Sequence, residues 1–147
     1  MNHKPLFPPG IHDISESDLE NHFLSSFPSS STRQRLISGL KKYLKRLKSI
    51  GVKFEIWIDG SFTTEKEDPG DIDLVVFGST TELNHLTPPK KSQLHALFDR
   101  VSIKNAIGCD VLFAVAEDQN MRNYWRGWYG FDRNENPKGI ARIEVGP

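Results

Sequence analysis

Asp59-Gly60-Ser61 and, after nine intervening residues, Asp71-Ile72-Asp73-Leu74-Val75-Val76-Phe77 organise this chain around one edge. The second run is β-branched and apolar, which suits a central strand. Asp71 and Asp73 lie two apart, so on an extended backbone both carboxylates leave the same face. Upstream, Val52-Lys53-Phe54-Glu55-Ile56-Trp57-Ile58 largely alternates apolar and polar residues and predicts a strand that stops at Asp59. Asp59 could contribute to the same edge, but an ordinary turn at Asp59-Gly60 is the favoured reading.

Further upstream, the spacing of Leu36, Ile37, Leu40, Tyr43, Leu44 and Leu47 predicts a helix from about Thr32 to Ile50 with one apolar face. Its other face carries Lys41, Lys42, Lys45, Arg46 and Lys48, and Gly51 closes it. Ser15 to Asp18 offers capping chemistry for a short helix to about Phe27, ended by Pro28. Residues 1–15 read as an irregular arm that wraps a surface or frays.

Downstream, residues 78–90 read as loop and Ser92 to about Val101 as a helix. Cys109-Asp110-Val111-Leu112-Phe113-Ala114-Val115 reads as a third strand, headed by an aspartate. The tail from Gln119 is aromatic and basic, with Ile140 to Val145 as a last strand.

Two carboxylates on one face repel in a low dielectric, and a cation between them keeps both ionised. Ligation by oxygen alone is the preference of Mg²⁺ or Mn²⁺, which complete their shells with water and substrate phosphates. If the strand headed by Asp110 pairs beside the Asp71–Phe77 strand, three carboxylates meet at one edge. That set could hold two metal ions about 4 Å apart, the arrangement that clamps attacking and leaving oxygens in phosphoryl chemistry. Gly60 lets backbone approach a triphosphate closely, and the Ser61 hydroxyl with nearby N–H groups can donate to its oxygens. Asp110 is the candidate to hold the catalytic metal and help deprotonate an incoming hydroxyl.

The 147 residues suit one domain, with a core at about 32–116, an arm at 1–31 and a tail at 119–147. The single cysteine, Cys109, excludes an internal disulfide and reads as a buried small apolar residue. The longest apolar runs fall far short of the roughly 20 residues that span a bilayer, and no apolar signal core follows Met1. The expectation is a soluble cytoplasmic protein with no membrane contact. Net charge is zero, but it is unevenly spread: nine basic residues against five acidic over 1–58, five against eleven over 59–118, and five against three over 119–147. An acidic middle between basic ends suits a metal site that must attract phosphates.

Gly60-Ser61, the following Asp71-Ile72-Asp73 and the later Asp110 resemble the DNA polymerase β-type nucleotidyltransferase superfamily, in particular the small single-domain minimal nucleotidyltransferases of prokaryotes. The likeness covers roughly residues 52–116. It implies an α/β (α+β) nucleotidyltransferase fold, a small mixed sheet flanked by helices. It also implies Mg²⁺ dependence and transfer of a nucleoside monophosphate from an NTP such as ATP to a protein or RNA acceptor. In that resemblance Asp71, Asp73 and Asp110 are the catalytic metal ligands, and Gly60 and Ser61 hold the nucleotide. Many small members belong to toxin–antitoxin or antiviral defence modules.

Two other readings stand beside this one. A catalytically silent module on the same fold would act as an antitoxin or regulatory subunit, with a partner protein bound through the aromatic tail. A nucleic-acid binder would use the basic helix face. In the tail, Tyr124 to Arg133 supplies aromatics and arginines that could stack bases or bind phosphates, but covering an open side of the sheet is the favoured reading. Glu65, Glu67 and Asp68 are expected to be solvated loop charges.

Overall fold

Ile72–Gly78, strand β3, is apolar on both faces from Leu74 to Phe77 and lies inside the sheet, where both faces are covered. The computed structural model describes residues 3–132 and 136–147. Around β3 it builds a mixed sheet from β1 (Gly10–Asp13), β2 (Phe54–Asp59), β4 (Cys109–Val115) and β5 (Gly139–Val145). The spatial order is β1-β5-β2-β3-β4. β2 runs antiparallel to both β3 and β5, while β3/β4 and β1/β5 are parallel pairs. The chain is thus an α+β fold, a five-stranded mixed sheet flanked by helices.

The helices divide between the two faces. α1 (Leu19–Phe23), α2 (Arg33–Lys48), α4 (Pro88–Leu97) and α5 (Arg100–Ile107) cover the larger core face. The stripe Leu36, Ile37, Leu40, Tyr43, Leu44 and Leu47 of α2 is buried throughout and packs on Phe54, Ile56 and Ile58 of β2 and Leu74 and Val76 of β3. Burying each such side chain contributes roughly 1.5–3 kcal/mol, so α2 is held by its packing more than by its propensity. The opposite face carries Trp57, Val75, Phe77 and Ile140 and is covered by α6 (Gln119–Tyr129) through Met121, Trp125 and Tyr129. The short α3 (Thr80–Asn84) follows β3, capped by Ser79, whose hydroxyl accepts from the Glu82 amide.

Several expectations change. Residues 1–15 are not merely an irregular arm, because Gly10–Asp13 adds to the sheet beside β5. A four-residue strand among prolines has no propensity signal of its own; the exposed edge of β5 recruits it. The first helix is one 3-10 turn (Glu16–Asp18) plus α1, and it ends at Phe23, well before Pro28. Residues 78–90 contain α3 and the start of α4, for which Pro88 serves as a first-turn proline. The single helix expected over 92–101 is two helices. Asp99 breaks the run and caps α5, its side chain accepting from the Ser102 amide at 3.2 Å.

The tail beyond Gln119 is α6 and β5, so it is integral to the sheet. This agrees with aromatics covering an open side, although Tyr124 and Trp128 remain 57 % and 67 % exposed. Arg133 lies outside the described residues. Among the described residues, no helix is long and apolar enough to cross a membrane.

Candidate active site

The register of β2, β3 and the edge strand β4 sets three aspartates in one row. Asp59 at the end of β2 pairs with Asp73 of β3, and Asp73 pairs with Asp110 of β4. All three share the parity of Trp57 and Val75, so they point to the α6 side of the sheet. Asp71 stands two residues before Asp73, at the entrance to the strand. The structure therefore brings Asp71, Asp73 and Asp110 to one sheet edge. It also adds Asp59, which is no turn residue: it is buried to 1 % exposure at the strand terminus.

Each flanking carboxylate has a cation. Arg100, at the start of α5, donates from Nε and Nη2 to Asp110 Oδ1 at 3.1 and 3.0 Å. Lys104, one turn later, reaches Asp71 Oδ2 at 3.2 Å. Lys138, just before β5, meets Asp59 Oδ1 at 3.0 Å. The Asp73 carboxylate alone makes no hydrogen bond or ion pair among the described residues. Burial, with the neighbouring charges of Asp71 and Asp110, pushes its carboxyl up to about 6. Burial likewise pushes Asp59 up to about 7, against the pull of Lys138. Tyr129, from the end of α6, is buried beside the row, and its phenol is pushed upward by burial and by Asp73, Asp59 and Asp110.

The row sets the pH response of the protein. Asp59 and Asp73 hold protons more tightly folded than unfolded, so their contribution is fully present below about pH 4 and is lost as pH rises through 6 to 7. Glu55, held down to about 2 by Arg122, Arg142 and Trp57 against its own burial, acts oppositely but only below about pH 4.5. In EDTA, the urea midpoint is expected to be higher at pH 5 than at pH 7.5. A midpoint that rises over that interval would contradict the desolvated row.

Gly60 and Ser61 sit against Asp73. Gly60 has φ +86°, a conformation that favours glycine. A Cβ there would collide with Asp73 Oδ2 and stand 3.0 Å from its Cγ. The absent side chain of Gly60, expected to make room for a triphosphate, makes room for the aspartate in this structure. Gly60→Ala is expected to cost about 1–3 kcal/mol through strain at positive φ and to displace Asp73; calorimetric melting measures the first, and any metal-dependent activity the second. After Gly60 the chain makes a 3-10 turn, Ser61–Thr63. The Ser61 hydroxyl makes no hydrogen bond among the described residues and is free to donate.

The turn is held from beneath. Arg33, fully buried at the start of α2, donates to the carbonyl oxygens of Phe23 (3.1 Å), Phe62 (2.9 Å), Thr64 (2.7 Å) and Lys66 (2.6 Å). Its guanidinium lies 3.8 Å from the Phe27 ring centroid. Asp68, read as a solvated charge, accepts from the Ser31 amide at 2.7 Å and so ties the same loop to the entry of α2.

The donor set suits a hard divalent cation in kind: carboxylate oxygens only, with the half-buried Asp73 lacking any counter-charge in contact. Among the described residues no three such side chains close into a ligand cluster, and Asp71 and Asp110 are turned to Lys104 and Arg100. Cys109, the other reactive group nearby, is fully buried, its thiol pushed up to about 12 by burial and by Asp71 and Asp73. It serves packing, as expected.

Lys138, Lys104, Arg100 and Arg33 carry no assignment to the site from sequence, and Asp59 is only the less favoured alternative to a turn there. Arg33 left a trace there: it occupies the apolar stripe of α2, three residues before Leu36 and seven before Leu40. Compared with known proteins, residues 1–144 match a family of unknown function, DUF6932. No curated protein and no solved structure matches the chain.

Proposed function

From a chain that belongs to the DUF6932 family, whose own function is unknown, we propose a metal-dependent nucleotidyltransferase that moves a nucleoside monophosphate from an NTP to a hydroxyl of a protein or RNA acceptor. The observation that carries the reading is Asp73: a half-buried carboxylate without a contacting counter-charge, between two further aspartates in strand register. An arrangement that opposes its own ionisation is costly to keep unless a cation offsets it. Asp71, Asp73 and Asp110 would hold Mg²⁺ or Mn²⁺. The metal would supply charge neutralisation on the phosphates and on the pyrophosphate that leaves.

The chain's own groups do the rest. Gly60 gives the triphosphate a close backbone approach, and the Ser61 hydroxyl donates to it. Arg33 fixes the carbonyl side of that loop, so its donors are held in place before the nucleotide arrives. Tyr129 and α6 cover the row and limit water. Arg100 and Lys104, half-exposed at the rim, are placed to transfer their attraction from the carboxylates to incoming phosphates.

A second reading has its own observation. Arg100, Lys104 and Lys138 already neutralise three of the four carboxylates, as in a fold kept after turnover is lost. That protein would be a regulatory or antitoxin module working through the exposed Tyr124 and Trp128. Incubation with each α-³²P-labelled NTP, Mg²⁺ or Mn²⁺, and total RNA or cell lysate separates the two. Label on RNA or on a protein band, absent from Asp71→Ala/Asp73→Ala, is the expected result. No label from any NTP, together with no metal-dependent nucleotide binding by calorimetry, would leave the silent module.

A further inference from the structure

The basic face of α2 is not uniform. Lys41 and Lys48 are committed to Glu20 and Glu16, whereas Arg35 and Lys42 make no ion pair among the described residues. These two line a groove of about 270 Å³ between α2 and α5, facing Lys104 and Asn105. Among the described residues no acidic side chain lines it. Its floor is a close helix contact at Gly39, where a Cβ would collide with the Ile107 carbonyl oxygen. A larger groove of about 390 Å³ beside α6 also holds arginines. There, Glu55 and Asp13 already accept from Arg122 and Arg142. Arg126 there has no ion pair among the described residues, but it shares its groove with those two carboxylates, whereas the α2–α5 groove sets its cations against none.

That groove also leads to the aspartate row. Lys104 belongs to both, as a groove wall and as the partner of Asp71. Gly108, at the groove's inner end, accepts from the Ile72 amide at 3.0 Å and stands two residues before Asp110. A chain of phosphates laid along Lys42, Arg35 and Lys104 would end at the carboxylates. Three cations spread over two helices, with Ser38 and Asn105 among them, suit an extended anion better than one compact phosphate group.

We propose that the groove between α2 and α5 binds the phosphodiester backbone of an RNA acceptor strand and delivers its hydroxyl end to the aspartate row. The assignment of the acceptor rests on the transferase reading. Binding in the groove does not.

The test is fluorescence anisotropy of a short labelled single-stranded RNA in EDTA, titrated with the full chain across a salt series. Arg35→Glu/Lys42→Glu is expected to weaken binding at least about tenfold and to lower the slope of log K against log salt by about 1.4, at roughly 0.7 per phosphate contact. Lys4→Glu/Lys91→Glu alters net charge equally at exposed positions away from the groove, and is expected to leave affinity almost unchanged. Equal loss in both double variants would overturn the groove in favour of bulk charge. Loss of MgATP binding with RNA binding intact would assign the groove to the nucleotide's own phosphates. Displacement of the RNA by polyglutamate at matched charge would indicate an acidic protein. RNA bound through the groove without transfer from any NTP would keep this inference and sink the enzyme. Label on protein alone, undiminished in Arg35→Glu/Lys42→Glu, would do the reverse.

Discussion

Asp73→Asn is expected to lower nucleotide transfer by roughly 10³-fold in kcat/KM, the scale on which removing one well-placed charge-stabilising group acts, while making the metal-free protein more stable. Both effects come from one fact. The Asp73 carboxyl is half-buried near Asp71 and Asp110, so its ionised form is penalised when no cation is present. Asparagine keeps the shape beside Gly60 and removes the charge. At pH 7.5 in EDTA the gain is expected to be about 1–2 kcal/mol, or roughly 3–6 °C in Tm. At pH 4.5 Asp73 is protonated in the folded protein, and the two melting curves should nearly coincide. A functional group that costs stability is the usual signature of a site shaped for work other than folding. Wild-type transfer by the variant, or a variant less stable than the parent at pH 7.5, would overturn this account.

Arg33→Met is expected to be the most destabilising single change in the chain, by about 3–5 kcal/mol, since it leaves buried polar groups without partners. Methionine retains a flexible stem against Phe27 and Phe62 but donates nothing. The carbonyls of Phe23, Phe62, Thr64 and Lys66 then lose their shared donor. Burial brings the guanidinium down to about 10, which leaves it charged at neutral pH, so the native protein keeps a full cation in its interior. Arg33→Lys is expected to fall between, because one ammonium cannot reproduce a planar fork serving four oxygens. Urea unfolding monitored by tryptophan fluorescence gives the ranking: native, then lysine, then methionine. In the transferase reading the lysine variant should also raise KM for the NTP more than it lowers kcat, since the 61–66 loop loosens while the aspartates stay. Equal stability of all three would remove Arg33 from its role.

Much of the core was legible because it repeats. The 3, 4 and 7 spacing of α2 and the apolar run of β4 gave elements within a residue or two of those observed. Periodicity reports how one segment meets a core, so it works wherever burial is continuous. It gave nothing for β1, whose four residues are extended only because β5 offers an edge, and it merged α4 with α5 because the break depends on the cap at Asp99. The same limit applies to the site. Asp71 and Asp73 reveal their shared face by spacing alone, but local sequence favours a turn at Asp59, since its neighbours in the row are not its neighbours in the chain.

The amino-acid sequence by itself determined the elements and the chemical kind of the site: an alternating strand, a two-faced helix, carboxylates two apart, a glycine and a serine after a strand. Tertiary structure alone decided which aspartates stand together and what each one faces. Register between β2, β3 and β4 aligned Asp59, Asp73 and Asp110, and helix packing brought Arg100 and Lys104 to the rim and Arg33 beneath the loop. The physical reason is range. Spacing encodes a face over a few residues, whereas burial, counter-charge and the upward push on Asp73 depend on groups far apart in the chain that only the folded sheet brings within a few ångströms.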